Sequence, residues 1–143
     1  MMMGEYSHTL DDKGRIVLPS RFREDFHDRL VMTKGFDGCL LLYPLPEWEK
    51  MVQKIQALPM TDPNARAFVR LFMAGAQEVE LDRQYRMTVP PRLREYAGME
   101  KEVVLIGLTT RAELWAAERW ASYQASTEAG YEAMAEKMAE LGL

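Results

Sequence analysis

An aspartate followed four residues later by an arginine occurs twice in equivalent surroundings, as Asp11 with Arg15 and as Asp82 with Arg86. In a turn, such a carboxylate accepts backbone N–H bonds and pairs with its own arginine, which fixes the hairpin angle. The same carboxylate can hold the guanidinium in one pose, so that it offers a rigid fork to a phosphate or a guanine edge. The two roles are compatible. Lys13 and Arg83 add a further cation to each turn.

Both pairs lie inside a longer repeat. Leu10-Asp-Asp-Lys-Gly-Arg-Ile-Val-Leu-Pro-Ser-Arg-Phe-Arg-Glu24 returns as Leu81-Asp-Arg-Gln-Tyr-Arg-Met-Thr-Val-Pro-Pro-Arg-Leu-Arg-Glu95, at an offset of 71 residues without a gap. The apolar runs Ile16 to Leu18 and Met87 to Val89 favour strands. Pro19 and Pro90 close them, because proline cannot donate to a ladder. Arg21 to Glu24 and Arg92 to Glu95 read as short helical turns with Phe22 and Leu93 facing inward. Each unit is therefore a charged turn, a strand, a proline and a short helix. Trp120 answers Trp48 at an offset of 72, so the correspondence extends past the charged block with a one-residue length change.

At 143 residues the chain is one domain or two fused halves. Each half is too small for a good core alone, so the halves should share one about an approximate twofold axis. The net charge of −4 weighs against a nucleic-acid partner, but its distribution reverses that weight. Residues 10–24 carry four bases and three acids, and residues 81–95 carry four bases and two acids. From Ser122 onward there are four glutamates and one lysine. Local potential governs phosphate binding, and the repeated blocks are locally basic.

Few residues suit catalysis. No Gly-x-Ser-x-Gly, His-Glu-x-x-His or paired-cysteine pattern is present, and the two histidines, His8 and His27, lie on different predicted elements. No second ligand stands at metal spacing from either. Cys39 falls in an apolar run and reads as a packed thiol. Lys34-Gly-Phe-Asp-Gly38 lacks the spacing of a phosphate loop and reads as a hairpin turn. These features predict neither enzyme activity, cofactor, metal nor small-molecule ligand. No leader pattern and no membrane-length apolar run is seen, which predicts a cytoplasmic protein.

Between the repeats, Glu47 to Leu58 and the segment from Pro63 to Gly75 carry apolar stripes of helical period, with Asp62 or Thr61 as a cap. The start, Met1 to Gly4, is expected to fray. Glu118 to Leu141 reads as one long helix with Trp120, Tyr123, Thr127, Tyr131, Met134, Met138 and Leu141 on one stripe. Glu128, Glu132, Glu136 and Glu140 line another, either as a solvated face or as a surface that pairs with bases on a neighbouring subunit. Trp48, Phe68, Phe72, Tyr123, Met134 and Met138 are expected to be mostly core, the rest at subunit contacts.

Ser7 to Glu24, taken with Leu93-Arg-Glu-Tyr-Ala-Gly-Met-Glu-Lys-Glu-Val-Val-Leu-Ile-Gly107, resembles the bacterial MraZ family of transcription regulators, over nearly the whole chain. The resemblance implies an α+β fold: two SpoVT-AbrB type modules whose swapped hairpins form one small pseudo-twofold β-barrel, with a helical hairpin insert and a long C-terminal helix. The boundaries are 5–48 and 77–120 for the modules, 49–76 for the insert and 121–143 for the last helix. It implies a ring-shaped homo-oligomer in the cytoplasm, associated with the nucleoid, that binds short direct repeats of double-stranded DNA upstream of the division and cell-wall gene cluster.

Carried onto this sequence, the resemblance makes Arg15 and Arg86 the DNA-facing arginines, with Lys13 in the first turn and Arg83 as an extra contact in the second. From the residues themselves, Asp11 and Asp82 orient the turns, and Arg21, Arg23, Arg92 and Arg94 are either phosphate candidates or, lying on the short helices, point away. One position departs from the family pattern. Glycine is usual just before the arginine, as at Gly14, but the second turn has Tyr85. A positive φ there would strain tyrosine. The rival reading is a ring-forming protein whose main partner is another protein, motivated by the acidic last helix.

Overall fold

The computed structural model describes residues 1–143. Its elements fall into two similar series, and the fold is α+β. The first series is β1 (Met2–Thr9), β2 (Arg15–Val17), a 3-10 turn (Ser20–Phe22), α1 (Arg23–Phe26), β3 (Arg29–Lys34), β4 (Leu40–Pro44) and α2 (Leu45–Gln56). After α3 (Pro63–Gly75) comes the second series: β5 (Gln77–Glu80), β6 (Arg86–Thr88), α4 (Pro91–Tyr96), β7 (Glu102–Thr109), β8 (Ala112–Ala116) and α5 (Ala117–Thr127). A 3-10 turn (Glu128–Gly130) and α6 (Tyr131–Ala139) close the chain. Asp62 caps α3 by accepting from the Asn64 N–H at 2.9 Å, and Pro63 fits its first turn.

The six-stranded antiparallel sheet runs β1-β7-β8-β4-β3-β5. Replacing each strand by its counterpart in the other series returns the same order reversed. The first strand of each series pairs with the other series: β1 with β7, and β5 with β3. The short strands β2 and β6 pair with one another as a separate ribbon. Neither half closes its own hydrogen bonds, so each depends on the other.

The main core has 21 residues from both halves, among them Ile16, Leu18, Phe22, Leu30 and Met32 of the first and Met87, Val89, Leu93, Leu105 and Leu114 of the second. A smaller cluster of Leu41, Tyr43, Ile55 and Phe72, with Trp48, Met51 and Val69 against it, seats α2 and α3 on the opposite sheet face. Thr33 is the one buried polar residue, and its hydroxyl donates to the Phe72 carbonyl at 2.8 Å. That bond ties α3 to β3.

Three expectations are corrected. Met1 to Gly4 is not a frayed end: β1 starts at Met2, which is buried and registers with Thr109. A Cβ on Gly107 would collide with the Met2–Met3 backbone, so β1 lies tight on β7 at this point. The last helix is not continuous. The hydroxyls of Ser126 and Thr127 both donate to the Tyr123 carbonyl, at 3.0 and 2.6 Å. Such back-bonding bends helices, and Gly130 weakens the next turn.

The third correction concerns the predicted core stripe. Of the six residues assigned mainly to the core, Phe72 is buried and Trp48 half-buried, whereas Phe68, Tyr123, Met134 and Met138 are exposed. Tyr131 and Leu141 are 70% and 80% exposed. The stripe is amphipathic as read, but within one protomer nothing covers its α6 part. α5 does dock: the Trp120 indole N–H donates to Glu5 at 2.9 Å, and Trp120 and Tyr123 pack on Trp115.

Candidate nucleic-acid interface

The β2–β6 ribbon sets Arg15 opposite Thr88, Ile16 opposite Met87 and Val17 opposite Arg86. Side chains alternate along a strand, so the buried Ile16 and Met87 plug the core while Arg15, Val17, Arg86 and Thr88 share the outer face. Arg15 and Arg86 are diagonal neighbours there, their backbones about 7–8 Å apart by strand geometry. The two guanidinium groups thus start from one ribbon face, and both side chains keep part of their surface in solvent.

Each arginine is preset by its aspartate. Asp11 Oδ1 accepts the N–H groups of Lys13 (2.8 Å) and Arg15 (2.9 Å), and Oδ2 accepts Arg15 Nε at 2.7 Å. Asp82 repeats this with Gln84 (2.9 Å), Arg86 (2.9 Å) and Arg86 Nε (2.7 Å). Using Nε for the clamp leaves both Nη groups without a protein acceptor. The Arg15 backbone N–H is the main cause that lowers the Asp11 pKa from 3.8 to about 2. The Arg86 N–H likewise leads the lowering at Asp82. Both carboxylates are ionised at neutral pH and so work only as acceptors.

The turns close alike, with the Gly14 N–H donating to the Asp11 carbonyl and the Tyr85 N–H to that of Asp82, both at 2.9 Å. Across the ribbon, the Leu18 N–H reaches the Tyr85 carbonyl at 2.8 Å and the Val89 N–H reaches that of Gly14 at 2.9 Å. Gly14 has φ +75° and Tyr85 has φ +56°, so tyrosine holds the left-handed conformation that glycine adopts freely. The expected strain is present.

The remaining cations divide by position. Lys13 and Arg83 are exposed on the turns, and Arg21 and Arg92 are exposed on the short helical segments. Arg23 and Arg94 are half-buried and cross to the other repeat's turn. Arg94 lies where a Gly14 side chain would begin, with Cζ 2.6 Å from an ideal Cβ. Arg23 lies over the Tyr85 ring, 4.2 Å from its centroid. The Nε of each is buried and has no partner. Arg23, Asp82, Arg83 and Tyr85, with His27, Asp28 and Leu81, line a shallow cleft of about 360 Å³ beside the second turn.

The sequence reading missed Val17 and Thr88 on the arginine face, and it did not pair either helix arginine with the opposite turn. Strand alternation could have found the first; the second required the cross-repeat register. Elsewhere the chemistry is quiet. Cys39 is buried, its thiol donates to the Phe36 carbonyl at 3.2 Å, and burial pushes its pKa up to about 12. Burial lowers the pKa of His8. No cluster of three or more acids, histidines or cysteines could hold a metal, and no helix is long and apolar enough to cross a membrane.

A duplicated α+β half with cross-paired strands, carrying two aspartate-clamped arginine turns on one ribbon, defines a two-repeat protein with a paired basic hairpin face. The family model described as "MraZ protein, putative antitoxin-like" matches twice, over residues 1–71 and 72–141. The chain is 52% identical to the "Transcriptional regulator MraZ" of Moorella thermoacetica, over all of both chains. It is 52% identical to the protein of that name from Pelotomaculum thermopropionicum, over all of this chain and 99% of the relative. The Halothermothrix orenii protein is 50% identical over all of both. The chain belongs to the MraZ family.

Proposed function

We propose that this protein is a sequence-specific DNA-binding transcriptional regulator. It binds short direct repeats upstream of the division and cell-wall gene cluster, as a ring homo-oligomer in the cytoplasm on the nucleoid. The observation that carries the reading is the common ribbon face of Arg15 and Arg86, each held by its own aspartate with free Nη donors. A two-stranded ribbon is narrow enough for the major groove, and a forked guanidinium there matches a guanine edge or a phosphate. Lys13 and Arg83 flank that face, and Arg21, Arg23, Arg92 and Arg94 supply phosphate contacts around it. The relatives' shared name, transcriptional regulator, supports the same reading.

The reversed strand order supports a pseudo-twofold, swapped-hairpin barrel in which 5–48 and 77–120 are the modules. Residues 49–76 are the insert and 121–143 the C-terminal segment. The uncovered Tyr131, Met134, Met138 and Leu141 supply apolar surface for assembly with further copies. Several protomers on tandem repeats would raise affinity without new contacts.

The test measures affinity for a duplex from the region upstream of the protein's own gene, as a function of salt. Affinity should fall steeply as salt rises. Replacing Arg15 and Arg86 together by alanine should lower affinity at least about tenfold and flatten the salt dependence. Equal affinity and equal slope in the double variant would refute the assignment.

A further inference from the structure

The two turns are copies in sequence and in hydrogen bonding, yet they present different surfaces. At the first, Gly14 leaves room for the Arg94 guanidinium to lie against the peptide. At the second, the place of that glycine is taken by an aromatic ring, and Arg23 rests on the ring instead. Tyr85 adopts φ +56°, a conformation that L side chains rarely take. It does so although 38% of the residue stays exposed, so core packing does not explain the ring. Its hydroxyl donates to no protein acceptor. The ring lines the cleft beside the second turn, and the next residue along the chain is Arg86.

Resting on the DNA-binding reading above, we infer that Tyr85 is a further DNA-contacting residue and makes the second turn read a base that the first does not. With one face covered by Arg23, the ring is held in one pose and offers an apolar edge at the turn that also carries Arg86. The base feature that matches an apolar edge in the major groove is the C5-methyl of thymine. Arg23, whose charge lies over the ring, stays with Tyr85 at the rim and faces the phosphates. The first turn, with no side chain at Gly14, has no such contact. Each protomer is therefore unsymmetrical on its DNA and sits on it in one polarity.

The test uses the full chain and the upstream duplex, with each thymine replaced in turn by deoxyuridine, which removes only the methyl group. The parent protein should lose about fourfold in affinity at one or two such positions per site, the worth of one buried methyl. Tyr85→Phe should show the same pattern, because it keeps the ring. Tyr85→Gly should bind more weakly overall and lose the sensitivity to deoxyuridine at those positions. Gly is at ease at this φ and Tyr85 is not core, so the variant should fold, which its thermal transition verifies. If Tyr85→Gly keeps the parent's sensitivity at every position, or loses affinity with no change in base preference, the inference is overturned. A parent protein that shifts no duplex at low salt overturns the DNA-binding reading itself, a different outcome from a parent that binds with a silent Tyr85.

Discussion

Ile16 and Met87, which hold the same place in the two sequence repeats, lie directly opposite one another across the β2–β6 ribbon. Each residue of the ribbon therefore faces the copy of its mirror position: Arg15 meets Thr88, and Val17 meets Arg86. Because both central residues are buried, their outward neighbours all emerge on one side. Two local turns become one surface through this pairing.

The clamp on each arginine should respond to acid in a defined window. Asp11 has its pKa lowered in the folded state, to about 2 from an ordinary 3.8. Its contribution to stability is therefore full above about pH 4 and is lost as the pH falls through about 2. An NMR titration of the Asp11 side-chain carboxyl carbon should give a midpoint near that lower value, with Asp82 also below its ordinary range. A midpoint at the ordinary carboxylate value would mean that the turn bonds do not persist in solution.

Asparagine at both positions, Asp11→Asn with Asp82→Asn, keeps the side-chain shape and removes the charge. The fold should survive, because both residues are at the surface. Affinity for the upstream duplex should nevertheless fall several-fold, since Arg15 and Arg86 lose the partner that orients them. Circular dichroism and a binding isotherm on the same sample separate the two effects. Unchanged binding would show that the arginines need no orientation.

Thr33 connects the insert to the sheet. Thr33→Val keeps the volume but leaves the buried Phe72 carbonyl without its donor. The cost should be about 1–3 kcal/mol in chemical denaturation, with no change in secondary structure. A neutral result would mean that the carbonyl finds another partner.

Cys39 should be inert. Its thiol is fully buried, and burial holds its pKa far above neutrality. A thiol-specific reagent should label it slowly in the native protein and rapidly in denaturant. Rapid native labelling would show that the β3–β4 hairpin opens readily.

The uncovered stripe of α6 should matter to assembly and little to the protomer. Tyr131→Glu with Met138→Glu adds two charges to residues that are 70% and 42% exposed. Light scattering should report a smaller species, while the protomer's thermal transition shifts little. An unchanged mass would remove α6 from the assembly surface.

Much of the site was legible before any coordinates. The repeated Asp-x-x-x-Arg turns, the strands behind them, the closing prolines and the short helices depend on neighbours within a few residues, and the sequence states those neighbours directly. The same holds for the Asp62 cap, the Lys34–Gly38 hairpin turn and the strain at Tyr85, which followed from the place of Gly14 in the other copy. The reading failed at one distant contact and at one local competition for a carbonyl. Met2 looks like a loose end until β7 pairs with it, and the bend before Tyr131 needs two hydroxyls to compete for one carbonyl.

By itself, then, the order of residues determined two similar charged turns, the strands and short helices behind them, and the need for one shared core. It could not decide which surfaces those turns would join, because a strand's side is fixed only once its partner and register are chosen. Tertiary pairing put Arg15 and Arg86 on one face, sent Arg23 and Arg94 across to the opposite repeat's turn, and left the apolar side of α6 uncovered. Such contacts join residues far apart in the chain, and local periodicity carries no record of them.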